Sequence, residues 1–147
     1  KIGVEELTQI DVADCFNQAA ALIPNIGLNI INRTSGLTVR ADTLLRQLFY
    51  TFIDNSLRHG KKVSEIQLYY TETEKETILF YEDNGVGIPK ENKESIFSES
   101  FTTGGSGLGL KLVKKLIQTY GWAIKEDGIP GKGARFSIFV PKQNTQS

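Results

Sequence analysis

The chain predicts an α/β (α+β) domain in which a mixed sheet is covered by helices on one face. Three observations lead there. Helix-type and strand-type segments alternate along 147 residues without the regular βαβ repeat of a doubly wound fold. Two runs with period-2 alternation, 65–71 (EIQLYYT) and 77–82 (TILFYE), lie close enough to pair as a hairpin across the charged stretch Glu72 to Glu76. Three further segments carry apolar residues at helical spacing.

The first helix is expected over 11–23 (DVADCFNQAAALI), with Asp11 as N-cap and a stop before Pro24. Short strand-type runs follow at 28–33 and 37–40, separated by the turn residues Ser35 and Gly36. Asp42 is expected to cap a second helix that runs to His59, with Gly60 as a left-handed C-cap. After the hairpin comes DNGVGIP at 83–89, then a polar segment 90–106 containing Phe97 and Phe101. A third helix is expected from about Gly107 to Gly121, and two strands, 122–127 and 134–140, close the chain around the turn GIPGKG. The last residues, 143–147 (QNTQS), read as a disordered tail.

Composition narrows the function. Lys+Arg and Asp+Glu are 17 each, which argues against a nucleic-acid module. The single cysteine, Cys15, excludes an internal disulfide and is read as a small core residue on a helix. No apolar run has the length of a membrane span and no signal-peptide pattern opens the chain, so a cytoplasmic location is expected, whether or not the parent protein is anchored in a membrane. The chain begins at Lys1 and has no methionine, which reads as a fragment of a longer protein.

Two glycine-spaced turns point to a phosphate ligand, because glycine in regular structure needs a reason such as positive φ or a ligand against bare backbone. In the first, Asp83 sits where a strand gives way to a loop and can accept from an exocyclic amine, while Gly85 and Gly87 let the loop fold beneath a ring. In the second, GSGLGL (105–110) stands at a helix start, where free amides and the helix dipole favour phosphate. Neither a dinucleotide fingerprint nor a Walker A loop is matched. On the second helix a stripe through Leu44, Leu48, Thr51, Asn55 and Arg58 turns from apolar to polar midway, while Leu45, Phe49, Phe52 and Ser56 form an apolar stripe suited to the sheet. Asn55 there reads either as a surface asparagine or as an oxygen ligand for Mg²⁺, with Arg58 one turn on for a phosphate. His59, the only histidine, sits at the helix end; one histidine and one cysteine make a zinc site untenable.

In order along the chain, FIDNSLRHG, DNGVGIP, SIFSESFTT and GSGLGL resemble the four boxes of the histidine-kinase ATP-binding domain, which shares a superfamily with DNA gyrase, Hsp90 and MutL. The closing GKGARFSIFVP resembles the last strand of such domains. The resemblance implies a two-layer α/β sandwich with a mixed, mostly antiparallel sheet of about five strands, three main helices and an ATP lid. It implies a catalytic domain over 1–142 that binds ATP with Mg²⁺ and passes the γ-phosphate to a histidine on a separate dimerisation domain, absent here, for onward transfer to a response regulator. Asn55 resembles the Mg²⁺-binding asparagine, Arg58 the basic residue beside it and Asp83 the aspartate that recognises the adenine amine. Gly85 and Gly87 resemble the glycines of the first glycine box, and Gly105, Gly107 and Gly109 those of the second. Phe97 and Phe101 resemble the aromatic box residues, with Thr102 and Thr103 opening the lid. The nucleotide-binding set so implied also takes in His59, Ile88, Ser106, Leu108 and Leu110.

Three departures matter. Thr51 stands where histidine kinases commonly carry an asparagine and hydrolytic relatives a glutamate, so a gyrase-type or Hsp90-type ATPase lacks its base, and Asp54 points about 100° away from Asn55. The lid is short and lacks its usual cation, leaving Mg²⁺, Arg58, backbone amides, Lys111 or Lys114 to neutralise the γ-phosphate; a degenerate docking module is the reading that this would favour. Trp122 replaces a frequent second glycine and reads as packing.

Overall fold

The computed structural model describes residues 6–24, 27–98, 109–142 and 145–146. Its elements are β1 (Thr8–Asp11), α1 (Val12–Ala21), β2 (Asn29–Asn32), β3 (Thr38–Ala41), α2 (Leu44–His59), β4 (Glu65–Glu72), β5 (Glu76–Asp83), α3 (Gly109–Tyr120), β6 (Ala123–Glu126), β7 (Arg135–Pro141) and β8 (Thr145–Gln146). Two short 3-10 turns, Lys90–Asn92 and Ser95–Phe97, fill the segment after β5. Five strands form one sheet in the order β2-β4-β5-β7-β6, with β2 parallel to β4 and every other pair antiparallel. The mixed, mostly antiparallel sheet and three helices agree with the sequence expectation.

A second sheet, β1-β3-β8, was not expected. It separates β3 from β2, which the sequence reading placed side by side in the chain, and it overturns the disordered tail: Thr145 pairs with Val39 and Gln146 with Thr38. A five-residue polar tail has no hydrophobic period to announce a strand, but the open edge of β3 supplies backbone partners that its side chains need not specify.

Helix boundaries follow from caps. Asp11 Oδ1 accepts the Asp14 amide at 3.0 Å, as its position predicts. Asp42 takes the Leu44 amide at 3.0 Å although Thr43 is the formal N-cap, and the same oxygen accepts the Tyr120 hydroxyl at 2.6 Å, tying the start of α2 to the end of α3. Gly121 adopts φ +81, with the Trp122 and Gly121 amides returning to the Ile117 and Gln118 carbonyls at 2.9 and 3.1 Å, the double closure of a Schellman end. Gly60 corrects an expectation. It closes α2 with φ −75, and the left-handed residue is Lys61 at φ 58. Glycine is required at 60 by crowding: a Cβ would lie 2.1 Å from Val63 Cγ2 and 2.6 Å from the Ser56 carbonyl.

The core lies between the helices and the inner face of the large sheet. On β5 the inward residues Thr77, Leu79, Tyr81 and Asp83 are buried while Glu76, Ile78, Phe80 and Glu82 are half-buried on the outer face. Leu45, Phe49, Phe52 and Ser56 of α2 are all buried against it, as the stripe predicts, whereas Leu44 is largely exposed. Phe52 stacks on Phe136 at 4.7 Å and lies 5.0 Å from the Tyr81 ring, which fixes α2 over the centre of the sheet. Cys15 is buried on α1 as expected, and burial pushes its thiol up to about 11. Trp122 packs against Tyr120, with ring centroids 4.8 Å apart.

Candidate nucleotide-binding site

Asp83 is the last residue of β5, on the inward face, and is 4% exposed. A carboxylate at that depth needs donors, and three segments of the chain provide them. Its Oδ1 accepts the Gly85 amide at 3.0 Å and the Ala134 amide at 3.1 Å, and its Oδ2 accepts the Ser56 hydroxyl of α2 at 2.6 Å. Three donors therefore orient the carboxylate and leave Oδ2 with capacity for one more, the requirement for reading an amine.

Ser56 is the residue that sequence reasoning missed. Its Oγ also lies 2.7 Å from the Tyr81 hydroxyl, which in turn is 3.1 Å from the Phe52 carbonyl. An ionised carboxylate only accepts, so Ser56 spends its single proton on Asp83; the Tyr81 proton is then shared between Ser56 Oγ and the Phe52 carbonyl. Tyr81 is fully buried, and that burial raises its phenol well above the usual range. The signal was present, since Ser56 is the one polar member of an apolar stripe.

The glycines of DNGVG are explained by protein, not by ligand. A Cβ on Gly85 would lie 2.6 Å from the Gly60 carbonyl oxygen, and one on Gly87, at φ +76, would lie 2.8 Å from the Gly133 carbonyl oxygen. The loop is wedged between the end of α2 and the turn 128–133. Hydrogen bonds close both sides: the Val86 amide donates to the Gly60 carbonyl at 3.0 Å, and the Gly131 amide to the Val86 carbonyl at 2.7 Å. Asn84 fastens the third side, its Oδ1 accepting the Ser64 and Glu65 amides at 2.9 and 3.0 Å. Ile88 is half-buried against the core.

On α2, Asn55 is half-buried and its amide makes no hydrogen bond to any described residue. Arg58 is exposed, with Nε 2.9 Å from Asp54 Oδ2. His59 is half-buried; burial first, and the Arg58 charge second, hold its imidazole below the usual range. Thr51 donates its hydroxyl to the Gln47 carbonyl at 2.9 Å. Gly109 begins α3, where a Cβ would meet Thr51 Cγ2 at 3.3 Å, so the two helices approach closely at that level. Leu110 packs against the core, and Phe97 meets Phe136 edge-on at 6.2 Å with Lys114 Nζ 5.5 Å from its own ring. Phe101, Thr102, Thr103, Gly105, Ser106, Gly107 and Leu108 lie outside the described residues. Among the described residues no group of three or more His, Cys, Asp and Glu could hold a metal, and no helix is long and apolar enough to cross a membrane.

Solved structures share this fold. The catalytic domain of histidine kinase ThkA in a nucleotide-free form has a TM-score of 0.78 at 23% identity, covering 94% of this chain and 97% of that one. A mycobacterial sensor histidine kinase, MprB, has a TM-score of 0.77 at 21% identity over 92% of this chain and 97% of its own. Full-length ShkA in complex with AMPPNP has a TM-score of 0.77 at 25% identity, over 94% of this chain and 32% of its own. By sequence, the signal transduction histidine-protein kinase ArlS of Staphylococcus aureus (strain USA300) is 37% identical over 100 residues, 63% of this chain, which spans only 22% of that relative. The family model described as "Histidine kinase-, DNA gyrase B-, and HSP90-like ATPase" matches residues 41–144. With most of its length inside that match and Asp83 seated at the end of a central strand beside α2, the chain belongs to the histidine kinase-, DNA gyrase B- and HSP90-like ATPase family.

Proposed function

We propose that this chain is the ATP-binding catalytic domain of a sensor histidine kinase, which orients the γ-phosphate of ATP for attack by a histidine carried on a separate dimerisation domain. The observation that carries the reading is the buried Asp83 carboxylate, held by three donors and retaining acceptor capacity on Oδ2 for the adenine amine. Gly85, Gly87 and Ile88 form the loop around it, and Asn55, Arg58 and His59 line the helix that leads toward the phosphates. Gly109 and Leu110, with Phe101, Thr102, Thr103, Gly105, Ser106, Gly107 and Leu108, complete the assigned contacts.

The residues present fit Mg²⁺. The Asn55 amide is a hard oxygen donor with no hydrogen bond to a described residue, and an ion that takes most of its ligands from phosphate and water needs no carboxylate cluster. When bound, Mg²⁺ supplies charge neutralisation at the phosphates. The chain's own contribution is to hold the base at Asp83 and align the triphosphate along α2, so that catalysis is positioning and electrostatics.

Hydrolysis by the chain itself is disfavoured by what occupies the turn before Asn55. The Thr51 hydroxyl donates to the Gln47 carbonyl, and Asp54 is paired with Arg58, so neither side chain stands ready as a general base. The proposed partners are the dimerisation domain and a response regulator; ThkA, whose structure with the response regulator TrrA resembles this chain in fold, offers the parallel. A cytoplasmic site follows from the ATP requirement.

Titration with a non-hydrolysable ATP analogue and Mg²⁺ tests the assignment: Asp83→Asn, while folded, is expected to lose about a hundredfold in affinity, because a buried amide would face the adenine amine with a donor. Undiminished affinity in that variant sinks it. Labelled phosphate should pass from ATP to a separately supplied helical-hairpin domain; steady phosphate release by the isolated chain instead would favour a hydrolytic ATPase.

A further inference from the structure

Glu126, the last residue of β6, is a carboxylate whose side chain is wholly inaccessible, and the nucleotide reading gives it no role. Its Oε1 pairs with Lys93 Nζ, and its Oε2 accepts the amides of Gly128 and Arg135, each at 3.0 Å. The three donors come from two segments that both abut the Asp83 loop. Gly128 and Arg135 are the two ends of the turn that wedges against Gly87, and Lys93 lies four residues beyond Pro89, between the two 3-10 turns.

The connection to Asp83 is through consecutive amides. The Arg135 amide is held by Glu126 and the Ala134 amide by Asp83 Oδ1, so the two carboxylates grip adjacent peptide groups. No slack separates them: a Cβ on Gly133 would fall 2.0 Å from the Asp83 carbonyl oxygen, and the Asp83 amide donates to the Ala134 carbonyl at 2.9 Å. A shift of the turn end therefore displaces the donor that aims the Asp83 carboxylate. A buried ion pair is a poor way to gain stability, since well-packed apolar residues often do as well. What this pair fixes is geometry.

We propose that Glu126 and Lys93 are positioning residues for adenine recognition, locking the turn 128–133 and the segment after Pro89 to one buried carboxylate and so setting the orientation of Asp83. The inference rests on the reading of Asp83 as the adenine contact. It assigns the pair no contact with nucleotide.

The test is calorimetric titration of the full chain with ADP and Mg²⁺, alongside amide hydrogen exchange at Gly85 and Ala134. Lys93→Met is expected to weaken ADP binding about tenfold, the size of one misaligned charge-assisted hydrogen bond, and to speed exchange at both amides. Lys93→Arg should restore both. Because Lys93→Met strands a buried charge, the double variant Lys93→Met/Glu126→Gln provides a form without it; the glutamine oxygen can still accept both turn amides, but the tie to residue 93 is lost, and binding should remain at least about fivefold weaker than wild type. Wild-type affinity with wild-type exchange in the double variant overturns the inference and leaves the site reading intact. A wild-type chain that binds no ADP overturns the site reading, and the inference with it.

Discussion

Replacing Ser56 by alanine separates the anchor of Asp83 from its task. The hydroxyl is buried and gives its proton to Asp83 Oδ2 at 2.6 Å, so its removal deletes one charge-assisted hydrogen bond and leaves little void. Such bonds contribute about 1.5–3 kcal/mol. Tyr81 keeps the Phe52 carbonyl at 3.1 Å as an acceptor, so no second group is orphaned. The expected loss is about 2 kcal/mol, which for a chain near 150 residues lowers the melting temperature by about 4–8 °C. Affinity should behave differently. Oδ1 remains fixed by the Gly85 and Ala134 amides, and in the complex the adenine amine supplies Oδ2 with the donor that serine no longer gives. ADP affinity should therefore change by less than about threefold, under ~0.7 kcal/mol. Calorimetric melting and ADP titration of the same preparation read both quantities. A variant that melts like wild type yet binds ADP tenfold more weakly would refute the reasoning, because the hydroxyl would then be touching nucleotide and not holding the carboxylate.

Three further outcomes follow from the same geometry. Gly87→Ala should cost more than about 3 kcal/mol, combining positive-φ strain with a Cβ 2.8 Å from the Gly133 carbonyl oxygen, whereas Gly36→Ala, at φ +88 with open space around it, should cost only about 1–2 kcal/mol; denaturant titration of the pair checks the difference, and equal costs would contradict the wedged loop. Asn55→Ala should abolish the strengthening of ADP binding by Mg²⁺ while leaving stability within about 0.5 kcal/mol, since its amide has no hydrogen bond to a described residue; unchanged Mg²⁺ dependence counts against the metal assignment. The Tyr81 phenol is raised by burial, so its contribution is complete below the unfolded value near pH 10 and is lost as pH rises toward the folded value, at up to about 1.4 kcal/mol per pH unit. Denaturation midpoints between pH 9 and 11 should fall less steeply in Tyr81→Phe, and an identical slope would show that another group dominates.

The legible parts of the molecule were those whose signal is local. The periodic segments of α1, α2, β4, β5 and α3 and the Asp11 cap can be read from sequence because side-chain period and capping chemistry act within a few residues. The placement of β3 could not, because its partners β1 and β8 lie at opposite ends of the described chain and pair through backbone groups that carry no sequence mark. Asp83 was legible as a strand-end carboxylate, yet its donors Ser56 and Ala134 are 27 and 51 residues away. Glu126 passed as one more strand residue, since nothing within its own neighbourhood announces that Lys93, 33 residues earlier, will meet it in the interior.

The glycines of the first turn meet a requirement set by protein atoms and not by a ring. The spacing predicts that glycines at 85 and 87 make room for a ring, but the atoms that exclude a Cβ there belong to Gly60, Val63, Ile129, Pro130 and Gly133. The requirement is that three backbone segments, the end of α2, the loop after β5 and the turn before β7, meet at van der Waals distance around one carboxylate. Two of these segments are themselves glycine-bearing at the contact, Gly60 on one side and Gly133 on the other, because only mutual loss of side chains lets peptide groups approach so closely. Such a junction holds Asp83 in place before any ligand arrives, so little ordering at the adenine end remains to offset binding energy. On the proposed reading, glycine spacing in DNGVG therefore bears on nucleotide recognition at one remove, through the rigidity of the surface assigned to it.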